Sequence, residues 1–290
     1  MHNCRQTQTK LQRLTFGQLT MPSTENVTLT LYLVRHGECQ GNVAQVALEP
    51  FADPLTDVGR AQAKLLGECL QDVEFTRAYA SDYPRTFETA KIILEQSKAT
   101  KVKTVNPEKR IRERDYTGLL GKRAADCIDM MMGMMRTGTK YLECQIPNSE
   151  TTTQFEDRII NFLSELIQEC KTSQNSEETV LAVAHGLTNQ RLMILLNNRA
   201  QDFGIEKWTR NLFSEKLMRN TTFHKIVFEI PRIWSEISAH VAYPHSEKHV
   251  EGNTAKSVEK NVRDQDNYAF LDNADLIYAE SETVHYCKPV

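Results

Sequence analysis

The chain has 290 residues, of which 40% are hydrophobic and 25% charged, and its formal net charge is −3. These values are ordinary for a globular protein, and the mildly acidic balance argues against nucleic acid or an acidic membrane surface as a partner. No apolar stretch approaches the roughly 20 residues that cross a bilayer, so membrane insertion is not expected.

Residues 1–26 form a polar and basic segment, with Arg5, Lys10 and Arg13 and no acidic residue before Glu25. We expect an N-terminal extension that is disordered, although an organelle transit peptide has a similar composition. The seven cysteines are odd in number and form no Cys-x-x-Cys pair, which favours a reducing compartment. The expected location is therefore the cytoplasm, with mitochondria as the alternative.

Hydrophobic periodicity predicts strands that alternate with helices along residues 27–245. The predicted strands are Val27–Val34, Thr76–Ala80, Lys101–Val105, Thr179–Ala184, Phe223–Ile230 and Ile237–Tyr243. The predicted helices are Asp57–Gln71, Arg85–Gln96, Lys122–Met135, Thr152–Cys170 and Leu187–Leu196. This order predicts an α/β fold, a three-layer α/β/α sandwich with a mostly parallel central sheet. Residues 246–290 are charged and polar, and we expect a disordered tail there.

Two of the predicted strands end at a histidine that is followed by a glycine. His36 follows the first strand and His185 follows the strand at 179–184. Ligands of open α/β sheets bind beyond the carboxyl ends of the strands, and a glycine there would let a ligand approach closely. Because Arg35 directly precedes His36, the sequence predicts that two histidines converge on an anion.

Two further charged residues follow other predicted strands. Arg85 lies after the second strand and Glu113 lies beyond the third. Together with the histidines they suit phosphoryl transfer, because a neutral imidazole can attack phosphorus and guanidinium groups bind phosphoryl oxygens. A carboxylic acid can protonate the leaving oxygen. Zinc binding by the two histidines is an alternative, but the arginines would oppose a cation, so neither metal nor cofactor is expected.

Several ordered motifs resemble those of the histidine phosphatase superfamily, which includes the cofactor-dependent phosphoglycerate mutases. The motifs are Arg35-His36-Gly37-Glu38 with Asn42, Pro54 to Gly59, Ser81 to Thr86, Glu113 to Tyr116 with Gly118, Leu119 and Gly121, Ala184-His185-Gly186, and Asn220-Thr221. The resemblance implies that His36 is the phosphorylated nucleophile and Glu113 the proton donor. It also implies a phosphate pocket, formed by Arg35, Asn42, Arg85, His185 and Gly186.

The sequence departs from the pattern of this superfamily at two places. Cys39 stands where a threonine is common, and a Gly-Gly-Glu-Ser/Thr segment reads Asn148-Ser149-Glu150-Thr151. Within the superfamily, Arg112-Glu113-Arg114 most resembles the TIGAR-type fructose-2,6-bisphosphatases, which are regulators of glycolysis. Lys122 and Arg123 could meet a second phosphate, or they could be the solvated start of a helix.

The leading hypothesis is therefore a metal-independent phosphatase of a small phosphorylated metabolite, such as fructose 2,6-bisphosphate or a related sugar or glycerate phosphate. A mutase, which returns the phosphoryl group to a second hydroxyl, has the same motifs. A catalytically silent scaffold that binds a protein partner is the third hypothesis, although the five charged or nucleophilic groups of an active site are all present.

Overall fold

The computed structural model describes residues 26–138, 144–199, 218–232 and 238–246. The predicted N-terminal extension and the predicted polar tail lie outside the described residues, apart from Asn26 and Ser246 at their junctions.

The six strands of the described residues form one mixed sheet in the order β3-β2-β4-β1-β5-β6. The strands are β1 (Val27–Arg35), β2 (Arg77–Ala80), β3 (Asn106–Pro107), β4 (Glu177–Ala184), β5 (Phe223–Ile230) and β6 (Ser238–Ser246). The pairs β3–β2, β2–β4 and β4–β1 are parallel, whereas β5 is antiparallel to β1 and to β6. The prediction of a mostly parallel sheet is confirmed.

The predicted third strand at Lys101–Val105 is wrong, because pairing begins only at Asn106. Val105 is buried, and Val102 packs against the same apolar cluster, so these β-branched residues contribute to the core from an unpaired segment. The strand that does form lies at the edge of the sheet. This edge position tolerates Pro107, which has no N–H to donate to a ladder.

The helices are α1 (Gln40–Ala44), α2 (Asp57–Cys69), α3 (Pro84–Gln96), α4 (Ala124–Met135), α5 (Thr152–Thr172) and α6 (Gly186–Asn198). All five predicted helices are present, with ends that differ by at most two residues, and the short α1 was not predicted. The helix expected from Lys122 begins at Ala124, after Arg123 as N-cap residue. Within the described residues, no helix combines the length and apolar character that a bilayer crossing requires.

Alternate residues of β1 face two separate apolar cores. Leu31 and Leu33 pack into the cluster formed with α5 and α6. Tyr32 and Val34 point to the opposite face and pack into the cluster formed with α2 and α3. Successive side chains of a strand point to opposite faces, so a strand covered by helices on both sides reads as a continuous apolar run. The structure thus confirms the three-layer α/β/α sandwich.

The loop after β1 lies against the first turn of α2 through two glycines. A Cβ on Gly37 would lie 2.5 Å from the carbonyl oxygen of Gly59, and a Cβ on Gly59 would lie 2.0 Å from that of Glu38. We expected the missing side chain of Gly37 to leave room for a ligand, but the backbone of Gly59 occupies that space. This contact fixes the loop that carries His36.

We expect Gly59→Ala to lower the free energy of unfolding by about 3 kcal/mol, because the new methyl group would overlap a main-chain carbonyl that cannot move by rotation of a side chain. Gly133→Ala is the matched control, since a Cβ there would meet nothing within 4 Å. That change should stabilise α4 by about 1 kcal/mol. Urea unfolding followed by circular dichroism would check both, and equal stability of Gly59→Ala and the wild type would contradict the expectation.

Candidate active site

The carboxyl ends of β1 and β4 lie side by side at one edge of the sheet. Arg35 pairs with Ala184 in the parallel register, so the residues that follow, His36 and His185, leave the sheet at the same level. The main-chain N–H of His36 donates to the carbonyl oxygen of Ala184 at 3.1 Å. The centroids of the two imidazole rings are 5.2 Å apart. The predicted convergence of the two histidines is therefore present in the structure.

The ring of His36 is oriented by a hydrogen bond to its own loop. Nδ1 lies 2.7 Å from the carbonyl oxygen of Gly37, and a carbonyl oxygen can only accept. Nδ1 must therefore carry the proton, which leaves the lone pair of the neutral ring on Nε2. Burial of the ring, followed by the charges of Arg85 and Arg35, lowers the pKa of His36 well below its ordinary value of 6.5. The ring is thus held neutral, with a lone pair on Nε2.

The ring of His185 has a partner at each nitrogen. Nδ1 lies 3.3 Å from Nη2 of Arg85, and a guanidinium can only donate. Nε2, in a neutral ring, therefore carries the proton and donates to the hydroxyl oxygen of Ser81 at 2.9 Å. Burial and then the charge of Arg85 lower the pKa of His185 well below 6.5. Ser81 was not singled out by sequence reasoning, although it opens the motif that contains Arg85.

Both predicted arginines are buried beside the histidines. Arg85, in the first turn of α3, forms an ion pair of 3.3 Å with Asp53 and donates through Nη1 to the carbonyl oxygen of Pro50 at 3.3 Å. Its buried Nε has no hydrogen-bond acceptor among the described residues. Arg35 donates to the carbonyl oxygen of Met218. Asp53 was missed by the sequence analysis, because a lone aspartate in a loop carries no signal of its own.

Asn42 is connected to His36 through a second asparagine. The side-chain amide of Asn220 donates to the carbonyl oxygen of His36 at 2.9 Å and to Oδ1 of Asn42 at 3.2 Å. The same Oδ1 accepts the main-chain N–H of Cys39 at 3.2 Å. These bonds fix which end of the Asn42 amide is oxygen and hold it next to the loop of His36.

Cys39 is buried three residues after His36. Its thiol donates to Oδ2 of Asp53 at 3.1 Å, and burial raises its pKa to about 12. A thiol with such a pKa stays protonated and is a poor nucleophile. Cys39 therefore acts here as a packed hydrogen-bond donor to the carboxylate that pairs with Arg85.

Glu113 lies at the first turn of α6, which begins directly after His185. Its carboxylate accepts the main-chain N–H of Leu187 at 3.2 Å, the N–H of Thr188 at 3.1 Å and the hydroxyl of Thr188 at 2.9 Å. Among the described residues, its hydrogen bonds go to α6 and to Arg114 rather than to an imidazole ring. The structure thus brings the predicted acid to the edge of the site through the N-terminus of α6, where Gly186 is the first, buried residue.

Arg158 of α5 holds the segment that carries Glu113. Its guanidinium donates to the carbonyl oxygens of Arg110 and Arg112, both at 2.7 Å, and to that of Glu113 at 2.9 Å. It also forms an ion pair of 2.6 Å with Glu150. No sequence pattern pointed to Arg158, since an arginine on the polar side of a long helix is expected to be solvated.

The described residues contain no group of three or more His, Cys, Asp or Glu side chains that could hold a metal ion.

Arg123, which could have met a second phosphate, is mostly exposed and pairs with Asp126 three residues later. Its exposure is that of a solvated residue at the start of α4, and contact with a second phosphate stays a prediction. The five cysteines in the described ranges, Cys39, Cys69, Cys127, Cys144 and Cys170, carry free thiols.

A sheet whose parallel strands bring two buried histidines and two arginines to one edge is typical of a class of phosphoryl-transfer enzymes. The family model of the histidine phosphatase superfamily (branch 1) matches residues 31–211. The chain belongs to this superfamily, as its motifs predicted.

Among curated relatives, the bovine (Bos taurus) protein "Fructose-2,6-bisphosphatase TIGAR" is 31% identical over 194 residues, which are 65% of this chain and 70% of the relative. The probable phosphoglycerate mutase GpmB of Enterobacter sp. (strain 638) is 33% identical over 163 residues, which are 55% of this chain and 70% of that protein. The matches span between 54% and 70% of the four TIGAR relatives.

Among solved structures, the phosphoglycerate mutase of Bacillus anthracis str. Sterne superposes with a TM-score of 0.60 at 23% sequence identity. The superposition covers 76% of this chain and 94% of the mutase. At this identity the likeness supports the fold, and it agrees with the sandwich described above.

The lowered pKa of His36 links the stability of the fold to pH. As the pH falls below about 6.5, the His36 ring binds a proton in the unfolded chain but stays neutral in the folded protein. The free energy of unfolding therefore decreases. In His36→Gln this contribution is removed. We expect the wild type to lose about 2 kcal/mol more than the variant between about pH 7 and about pH 5. Urea unfolding at both pH values would measure it, and parallel losses in the two proteins would contradict a neutral, buried His36.

Proposed function

We propose that the protein is a metal-independent phosphomonoesterase that hydrolyses a small phosphorylated metabolite through a phosphohistidine on His36. The observation that supports this most directly is the hydrogen bond from Nδ1 of His36 to the carbonyl oxygen of Gly37. It directs the lone pair to Nε2 in a ring whose lowered pKa keeps it neutral. A neutral, oriented imidazole is what nucleophilic attack on phosphorus requires.

In the first step, Nε2 of His36 forms a bond to phosphorus while the bond between phosphorus and the ester oxygen breaks. The leaving oxygen takes the electron pair and receives a proton from Glu113 in its acid form. In the second step, water attacks phosphorus and gives a proton to Glu113. The nitrogen–phosphorus bond breaks, which releases phosphate and restores the neutral ring.

The phosphoryl group would be held by donors that surround the two histidines. Arg35 and Arg85 present guanidinium groups that suit phosphoryl oxygens, and Nε of Arg85 is a buried donor with no acceptor among the described residues. Asn42, His185 and Gly186 complete the proposed pocket. Preorganised positive charge in a dry site stabilises the charge that develops on the transferred group.

The relatives make fructose 2,6-bisphosphate the first substrate to assay, followed by related sugar and glycerate phosphates, because the bovine TIGAR protein carries the name fructose-2,6-bisphosphatase. Such an activity would place the enzyme in the regulation of glycolysis. The cytoplasm is the compartment that we propose for it, and the free thiols of the described cysteines agree with a reducing environment.

A phosphoglycerate mutase activity is the second candidate, and the similarity to the probable mutase GpmB favours it. A mutase would keep the phosphoryl group on His36 until a second hydroxyl accepts it. Release of inorganic phosphate, measured beside the formation of isomerised phosphoglycerate, would separate the two activities.

We expect His36→Ala to abolish both turnover and covalent labelling, because no other described side chain in the site presents a free imidazole nitrogen. The measurement is rapid acid-free quenching after exposure to a ³²P-labelled phosphoester, followed by a test of acid lability. EDTA should leave the wild-type rate unchanged. Normal turnover by His36→Ala, or strong inhibition by EDTA, would overturn the mechanism.

For Glu113→Gln we expect kcat/KM, which reports the first step, to fall by roughly 10²-fold or more on an alkyl phosphate, whose leaving oxygen needs a proton. The loss should be much smaller on 4-nitrophenyl phosphate, whose phenolate leaves without one. Because the amide would also meet the N–H groups of α6, thermal unfolding is measured in parallel. Equal losses on both substrates would indicate that Glu113 supports α6 and is not the acid.

A further inference from the structure

An aromatic side chain beside the site is half exposed. Phe51, in the 3₁₀ turn Pro50–Ala52, is 54% exposed, and only Val43 is as exposed among the large hydrophobic residues of the described ranges. Single apolar residues on a surface are common and need no explanation. What distinguishes Phe51 is how firmly its turn and its ring are tied to the catalytic groups.

The turn that carries Phe51 is fastened to Arg85 on both sides. The carbonyl oxygen of Pro50 accepts from Nη1 of Arg85, and Asp53 pairs with the same guanidinium, each at 3.3 Å. Phe51 lies between these two anchors in the chain. The ring is therefore placed at a fixed position next to the arginine that would hold the phosphoryl group.

A series of ring contacts leads from Phe51 to the nucleophile. The centroids of Phe51 and Tyr83 are 5.2 Å apart, those of Tyr83 and His185 are 5.4 Å apart, and those of His185 and His36 are 5.2 Å apart. Tyr83 and both histidines are buried. Phe51 is thus the exposed end of a series whose other members line the interior of the site.

Arg112 holds the Phe51 ring from a second direction. Its guanidinium carbon lies 5.3 Å from the ring centroid of Phe51 and 5.1 Å from that of Tyr83. Its Nε and Nη2 donate to the two oxygens of the Asp82 carboxylate, each at 2.5 Å. The charge of Arg112 is therefore matched by a carboxylate, so this residue is better suited to fixing the rings than to binding a second anion.

We propose that Phe51 is a specificity-determining residue, whose exposed face stacks on a ring in the alcohol part of the substrate while the phosphoryl group lies between the histidines and Arg85. This inference rests on the proposed phosphatase activity and adds the substrate class to it: phosphoesters whose alcohol carries a flat or cyclic carbon face, an aryl ring or a sugar ring. The ring of Phe51 needs no rearrangement to receive such a group, because Tyr83 and Arg112 already fix it.

The test compares kcat/KM for benzyl phosphate and ethyl phosphate, two primary alkyl esters that differ by a ring. In Phe51→Ala we expect kcat/KM for benzyl phosphate to fall about 10-fold, as expected for one lost aromatic contact with its buried area. Ethyl phosphate should change less than about twofold. Phe51→Tyr keeps the aromatic face and should retain the wild-type preference for benzyl phosphate, whereas Phe51→Leu should lose most of it.

Competitive inhibition by inorganic phosphate and thermal unfolding serve as controls, and both should be unchanged in the three variants. Equal losses on both esters would mean that Phe51 only supports Arg85, and an unchanged preference for benzyl phosphate would mean that the ring does not meet the substrate. Either result overturns the inference while the phosphatase activity stands. A wild type that hydrolyses neither ester, nor any sugar or glycerate phosphate, overturns the proposed function and the inference with it.

Discussion

The site depends on the parallel pairing of β1 with β4. The register that sets Arg35 opposite Ala184 brings His36 and His185 out of the sheet at one level, with ring centroids 5.2 Å apart. A shift of one residue would turn every β1 side chain to the opposite face, which would place Leu31 and Leu33 in the wrong core. The packing of both cores therefore fixes the distance between the two imidazoles.

Burial determines the chemistry of these histidines. Water is excluded from the rings, and the guanidinium groups beside them make a further positive charge costly. Both rings consequently stay neutral, and each neutral ring carries one proton on one of its two nitrogens. The carbonyl oxygen of Gly37 keeps that proton on Nδ1 of His36, and the guanidinium of Arg85 keeps it off Nδ1 of His185. The same environment that lowers the two pKa values thus also leaves a lone pair on Nε2 of His36 and a proton on Nε2 of His185.

Arg85 connects the buried ring of His185 to the turn Pro50–Ala52 at the surface of the molecule. It contacts His185, pairs with Asp53 and donates to the carbonyl oxygen of Pro50. The ion pair is almost fully buried, so removal of the carboxylate would leave a buried charge without its partner, which is strongly destabilising. Through the same contacts, the position of the Phe51 ring is coupled to that of the arginine proposed to hold the phosphoryl group.

The fold class and five of the six helices could be predicted from the sequence, because they follow from hydrophobic periodicity. The edge at which His36, His185 and Arg85 meet could also be predicted, because apolar runs that end in a histidine and a glycine indicate where buried strands end. The third strand was placed wrongly, since β-branched residues that fill a core resemble those that pair. The tautomers, the roles of Asp53, Ser81 and Arg158, and the capping of α6 by Glu113 could be assigned only from the folded structure. The neighbouring residue Gly37 sets the tautomer of His36. The other features depend on hydrogen bonds between distant segments: Ser81 and His185 are 104 residues apart, and only packing selects such partners.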